Sequence, residues 1–301
     1  MIKAITYFQW NDASKDVKII SIPIDLMVSV AQGRGDYQFK KVYALGAVGD
    51  DKQNILLLRD TFEKEFALPV DRYVVYDDQL LELLTTEPKI DLQTEAPLNQ
   101  QIESIFAAKT WGYFRGFPGV WRIFSFKKPL VEVIQTNLKT TEYLQILSIL
   151  VDLNEEHVFH YNVPQEAMIT VKEDGQDLIR IQEIPWDYYA KTNLYDHDVR
   201  QERYKINIYN GTKTPQIAAK ASRTISNIGM EVIDLGNDVE LQTTKILVDT
   251  KYQKSATLMK LKEIFGAEVE IVDINPVERV EFKIIIGNDW KKRMFGEEIN
   301  E

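Results

Sequence analysis

Residues 19–46, IISIPIDLMVSVAQGRGDYQFKKVYALG, have the pattern of a buried strand running out into a glycine-bearing loop. Ile19, Ile20 and Ile22 are apolar and β-branched, which suits a covered strand. Pro23 lacks an N–H and so ends the ladder. Asp25 then stands at the strand's carboxyl end, where open α/β sheets collect ligand-handling groups. Gly33 and Gly35 allow the backbone to come close to a bound group.

On the N-terminal side, Ala4–Trp10 alternates as a strand. Turn residues at 11–14 send the chain back into Val17–Ile22 as a hairpin. On the C-terminal side, Ile55, Leu58, Phe62 and Phe66 recur at spacings of three and four, which predicts a helix over 53–66 that Pro69 stops. Val70–Tyr76 is expected to be a strand, and Leu80–Leu84 the start of another helix. Residues 97–128 form a short stretch rich in aromatics, with Arg115 and Arg122 as its only arginines. These two either keep a phosphate site beside an aromatic groove or lie solvated at the edge of aromatic packing, which is the commoner arrangement. Pro129–Leu138 and Thr140–Leu153 are expected to be helices, and His157–Val163 a strand. His157 and His160 would then point to opposite faces, a poor arrangement for sharing a metal. Met168–Val171 and Leu178–Ile184 are expected to form a closing hairpin. The polar run after Pro185 has little periodicity.

From Arg203 onward strands and helices alternate. Tyr204–Tyr209 is a strand, and Asn210-Gly211-Thr212 a turn. Thr214–Ile228 is a helix with Pro215 in its first position and Gly229 at its stop. Met230–Leu235, Thr244–Asp249, Val269–Val272 and Phe282–Ile286 are further strands, and Ser255–Phe265 is a second helix. Two helices over one face of a small mixed sheet is the economical packing of this order. A glycine turn ahead of a helix also invites comparison with a phosphate cradle. The spacing here matches neither the dinucleotide fingerprint nor the P-loop. The organisation expected is an α/β domain over 1–184, a linker over 185–202, a smaller α/β domain over 203–290 and a polar tail over 291–301.

Composition narrows the function. The 301 residues are 45% hydrophobic and 27% charged, ordinary for a globular chain long enough for two cores. A formal net charge of −10 with scattered basic residues argues against nucleic acid as a partner. There is no cysteine, hence no disulfide framework and no thiolate metal site. No run of about 18 apolar residues occurs, and no basic-then-apolar leader pattern.

The segment Ser21-Ile22-Pro23-Ile24-Asp25, with Tyr37 and Lys40 in the following loop and VYALG leading to a helix and PVDRYVVYD, resembles the LytR-CpsA-Psr family. Members of that family move polymer chains from a polyprenyl-linked pyrophosphate to the bacterial cell wall. The motif YNGTKTPQIAAKASRTISNIGMEV, followed by TTKILVD, FGAE and IIIGNDW, resembles the LytR C-terminal domain along its length. The first resemblance implies a mixed-sheet α/β domain whose arginines and magnesium handle a pyrophosphate. Two departures stand out. Ile24 occupies the position of the motif's arginine, and Lys3 that of the acidic residue that serves the metal.

Asp25 is therefore the remnant catalytic or magnesium-binding candidate. Arg34, Lys40, Lys41, Arg115 and Arg122 are the ligand-binding candidates. The resemblance implies an extracytoplasmic cell-envelope protein, held to the membrane only through an anchor outside this chain. Such a protein is expected to bind envelope glycan, a polyprenyl-linked precursor or envelope proteins without turnover, and to need no cofactor. An active phosphotransferase using magnesium and a cytoplasmic interaction protein are the alternatives.

Overall fold

The computed structural model describes residues 2–11, 14–47, 51–76, 134–139, 141–142, 155–173 and 175–296. The helical and aromatic assignments for residues 80–84 and 97–128, and nearly all of 140–153, lie outside the described residues, as do Arg115 and Arg122. The architecture is mixed α/β and divides into two compact units. One gathers the described residues within 3–22 and 71–162. The other gathers residue 2, residues 23–70 and the described residues from 163 onward.

In chain order the elements begin with β1 (Ile5–Trp10), β2 (Val17–Ile22), β3 (Met27–Ser29), β4 (Asp36–Gln38), α1 (Phe39–Gly46) and α2 (Asp51–Phe66). Next come β5 (Val74–Tyr76), β6 (Ile134–Thr136), β7 (Val158–Asn162), β8 (Met168–Glu173) and β9 (Gln176–Ile181). Then follow α3 (Glu183–Asn193), α4 (His197–Glu202), β10 (Lys205–Asn210), α5 (Ile217–Asn227), β11 (Glu231–Asn237) and β12 (Lys245–Val248). The described chain finishes with α6 (Ala256–Phe265), β13 (Glu268–Ile271), β14 (Phe282–Ile286) and α7 (Asn288–Phe295).

In the first unit β1 and β2 form the expected antiparallel hairpin, Ile5 opposite Ile22 and Trp10 opposite Val17. β7 adds in parallel on the far side of β2, so β2 is central, which is why Ile19 and Ile20 are almost wholly buried. Pro23 follows at once, where no further ladder donor is required.

The second unit is built on a five-stranded mixed sheet in the order β11-β10-β14-β12-β13, with only the β12–β14 pairing antiparallel. Ile206 and Ile208 of β10 and Phe282, Ile284 and Ile286 of β14 form its buried face. α5 packs on that sheet through Ala221 and Ile225. Ser255 caps α6, its hydroxyl accepting from the Leu258 N–H at 3.1 Å, and Gly266 closes the helix in the left-handed conformation.

Several expectations are corrected. Residues 134–136, assigned to a helix over 129–138, form strand β6 against β5, and the 70–76 strand is confined to 74–76. The supposed linker at 185–202 is helical. Trp186, Ala190 and Leu194 recur at intervals of four and are all fully buried, and Asp196 caps the next helix. Ile184, assigned to a strand, sits in the first turn of α3 and is exposed. The polar tail begins as helix, since 291–295 complete α7 with Met294 buried. Pro215 stands outside α5. The Asn210 side chain accepts from the Thr212 N–H and donates to the Thr214 carbonyl, both at 2.9 Å. Gln216 then takes a left-handed backbone, φ 64°, so the helix starts one residue later.

Candidate functional site

The candidate residues of the 19–46 segment are placed by a short antiparallel ladder. β3 and β4 pair from Met27 opposite Gln38 to Ser29 opposite Asp36. At the open end the Phe39 N–H donates to the Leu26 carbonyl at 2.8 Å and the Lys40 N–H to the Ile24 carbonyl at 2.9 Å. These two bonds fix the first turn of α1 beside the residues that follow β2. The consequence is chemical: the Lys40 ammonium forms an ion pair and hydrogen bond with the Asp25 carboxylate.

Lys41 is next on α1 and exposed. Arg34 lies at the loop end of the ladder, beyond the Val30 to Gly35 bond. With a strand rise of about 3.3 Å per residue, that puts it roughly 15 Å along the hairpin from Asp25. Asp25 and Lys40 are therefore brought together, and Arg34 is not.

Of the two glycines of the loop, Gly33 is closely packed and Gly35 is open. A Cβ on Gly33 would lie 2.9 Å from the Phe295 carbonyl oxygen, and one on Gly296 would lie 2.6 Å from the Gln32 carbonyl oxygen. The close approach is thus made by the chain's own α7 terminus. From the other side the loop is bonded to α2. Glu65 accepts from the Ser29 N–H at 2.9 Å, Thr61 accepts from the Ala31 N–H at 3.1 Å, and the Lys64 ammonium reaches the Ser29 hydroxyl at 2.9 Å. Burial holds Lys64 below its ordinary pKa and Glu65 above its own. Asp36 pairs with Arg180 at 2.9 Å.

Asp25, the acidic candidate, has its Oδ1 engaged by Lys40, and among the described residues no group of three or more His, Asp or Glu is placed to hold a metal ion. His157 sits in a turn before β7 and bonds Asp16 at 2.8 Å; His160 is exposed. The Asn210-Gly211-Thr212 turn is filled from within. Gly211 donates to the Ile286 carbonyl at 2.9 Å, and a Cβ there would collide with Ile285 and Ile286. A basic cleft at the other end of this sheet, around Arg203, Lys205, Lys251 and Arg279, escaped sequence reading because its residues come from three separate stretches of chain, 203–205, 249–252 and 273–281.

Comparison with known proteins places the segment that carries the five-stranded sheet. Residues 203–290 match the family model for the LytR cell envelope-related transcriptional attenuator. That segment is a LytR C-terminal domain. It contains β10 to β14 with α5 and α6, so the five-stranded sheet is the LytR C-terminal sheet. Comparison with curated proteins found no match.

Among solved structures the chain is similar to Bacillus subtilis TagV, at 14% identity and a TM-score of 0.49, covering 63% of this chain and 87% of that one. The transcriptional regulator yvhJ from Bacillus subtilis is 16% identical with a TM-score of 0.47, over 63% and 84% of the two chains. TagT bound to LIIa-WTA is 14% identical with a TM-score of 0.41, over 62% and 82%. Among the described residues no helix is long and apolar enough to cross a membrane.

Proposed function

We propose that this chain is an extracytoplasmic cell-envelope protein of the LytR-CpsA-Psr type, which binds envelope glycan or a lipid-linked precursor without turning it over. The observation that carries this reading is the Lys40–Asp25 ion pair. A carboxylate that serves a divalent cation must offer its lone pairs to the metal. Here an ammonium already holds one of the two oxygens of Asp25, Ile24 stands where the motif has its arginine, and α7 fills the approach to Gly33. Phosphoryl transfer depends on concentrated positive charge at the leaving group, and an isoleucine supplies none. The LytR C-terminal domain supports the envelope assignment.

The test incubates the full chain with magnesium and a glycan-linked polyprenyl pyrophosphate, alongside sedimentation with isolated cell wall. The expected result is co-sedimentation with no release of pyrophosphate-linked glycan, and the same behaviour in Asp25→Ala. Magnesium-dependent release that Asp25→Ala abolishes would overturn the reading in favour of an active transferase. Absence of co-sedimentation would overturn it in favour of an interaction protein elsewhere.

A further inference from the structure

The LytR C-terminal sheet carries a cleft that the Asp25 region does not involve. It opens at the edge where β10 and β14 begin and β12 ends, and its volume is about 480 Å3. Ile274 and Val280 are buried beneath it. Four cations line it, Arg203, Lys205, Lys251 and Arg279, against three carboxylates, Asp249, Asp273 and Glu281. In a chain of net charge −10 this is a local reversal of sign.

Asp249 and Glu281 bear on Lys251, but both are also engaged by backbone N–H groups. Asp249 accepts from the Lys251 N–H at 3.1 Å, and Glu281 accepts from the Lys205 N–H at 2.7 Å. Arg203, Lys205 and Arg279 form no side-chain ion pair among the described residues. Lys251 is held over Tyr252, its ammonium 4.8 Å from the ring centroid, and the hydrogen bond to Tyr252 keeps it charged to higher pH. Tyr252 is itself braced against Tyr204 and Phe282, with ring centroids 4.9 and 6.0 Å away.

Arg203 closes α4 and Arg279 closes the turn at 276–278, each in the left-handed conformation in which helices commonly end, φ 52° and 54°. Two helix ends therefore deliver an arginine each to the rim of the cleft.

We infer that this cleft binds a phosphorylated sugar or polyol, its phosphate held by Arg203, Lys205 and Arg279 and a hydroxyl accepted by Asp273. Guanidinium groups suit phosphate because two N–H donors meet two oxygens at once. An exposed carboxylate with open lone pairs suits a hydroxyl, and the volume suits a ligand of sugar size. The anion chemistry stands on the cleft alone, whereas naming envelope glycan as the natural source rests on the function proposed above.

The experiment titrates the full chain by calorimetry with glycerol 3-phosphate, N-acetylglucosamine 1-phosphate, inorganic phosphate and uncharged N-acetylglucosamine. The two phosphorylated probes should bind saturably, inorganic phosphate at least threefold more weakly and the uncharged sugar not at all. Raising salt from about 50 to about 200 mM should weaken binding severalfold. The double variant Arg203→Asn, Arg279→Asn, which keeps residues tolerant of the left-handed backbone, should lose at least tenfold in affinity with an unchanged melting temperature. Lys205→Glu is the second variant should the first misfold, with a loss of similar size.

No saturable binding of the phosphorylated probes, or equal affinity in the variants, overturns the inference. Inorganic phosphate binding as tightly as the sugar phosphates overturns its saccharide half. Wall sedimentation run in parallel separates the two claims. Probe binding without sedimentation sinks the proposed function alone, and sedimentation without probe binding sinks the cleft alone.

Discussion

Trp186 donates its indole N–H to the carbonyl oxygen of Phe66 at 2.6 Å, across 120 residues of chain. Phe66 is the last residue of α2, where carbonyls lack partners within the helix, so the indole supplies one. The Phe66 and Trp186 rings also meet edge to face at 5.1 Å, and Phe66 stacks on Phe62 at 4.9 Å. Arg223 of α5 completes the cap, donating to the Glu65 carbonyl at 3.0 Å while pairing with Asp187 at 2.8 Å. The helix ahead of the C-terminal sheet is thereby fastened to the helix within it.

Two substitutions at Trp186 separate its packing from its hydrogen bond. Trp186→Phe keeps most of the apolar volume and leaves a buried carbonyl without its donor, and should cost about 1–3 kcal/mol. Trp186→Ala also opens a cavity and should cost about 3–5 kcal/mol. Urea unfolding of the full chain measures both, and equal losses would mean that the hydrogen bond contributes nothing separable.

Glu63 makes stability depend on pH. Burial pushes its carboxyl up to about 7, against the opposing pull of Arg293, Arg59 and the Val70 N–H. Because the folded value lies above the unfolded one, the folded state holds the extra proton between them. Its contribution is fully present below about pH 4.5 and is lost as pH rises through about 7. Between pH 4.5 and 8 the native chain should therefore lose on the order of 3 kcal/mol more stability than Glu63→Gln. Gln keeps an acceptor for the Val70 N–H at 2.9 Å but has no charge to bury. Parallel pH profiles for the two proteins would remove Glu63 as the origin.

Gly33 and Gly296 form a reciprocal contact, each with positive φ, 68° and 83°. An alanine at either position meets a carbonyl oxygen as well as an unfavourable backbone, so each substitution should cost about 1–3 kcal/mol. Gly175→Ala is the control. Its φ is 78° but nothing lies within 4 Å of the added carbon, so about 1 kcal/mol of strain alone is expected. Thermal melts of the three variants give the ranking. A smaller loss at Gly33 than at Gly175 would contradict the packing described.

Local chemistry determined much of this protein from its sequence. The β-branched run at 19–22, the proline after it, the period of α2, the Ser255 cap and the Gly266 stop each depend on residues within a turn or two, and each element lies where those residues indicate. The alternation from residue 204 onward carried the mixed sheet for the same reason.

Tertiary structure decided whatever depended on a distant partner. Residues 183–193 became helix because a narrow stripe at 186, 190 and 194 found α2 and α5 to pack against, and polar residues between the stripe positions hid it. Asp25 was legible as a candidate, but only the bonds from the start of α1 to the Leu26 and Ile24 carbonyls show that Lys40 pairs with it. Gly33 was legible as a point of close approach, and only the folded chain shows that α7 is what approaches. A sequence states its local preferences one neighbourhood at a time, while a charge pair or a filled gap exists only where the fold has brought two remote neighbourhoods together.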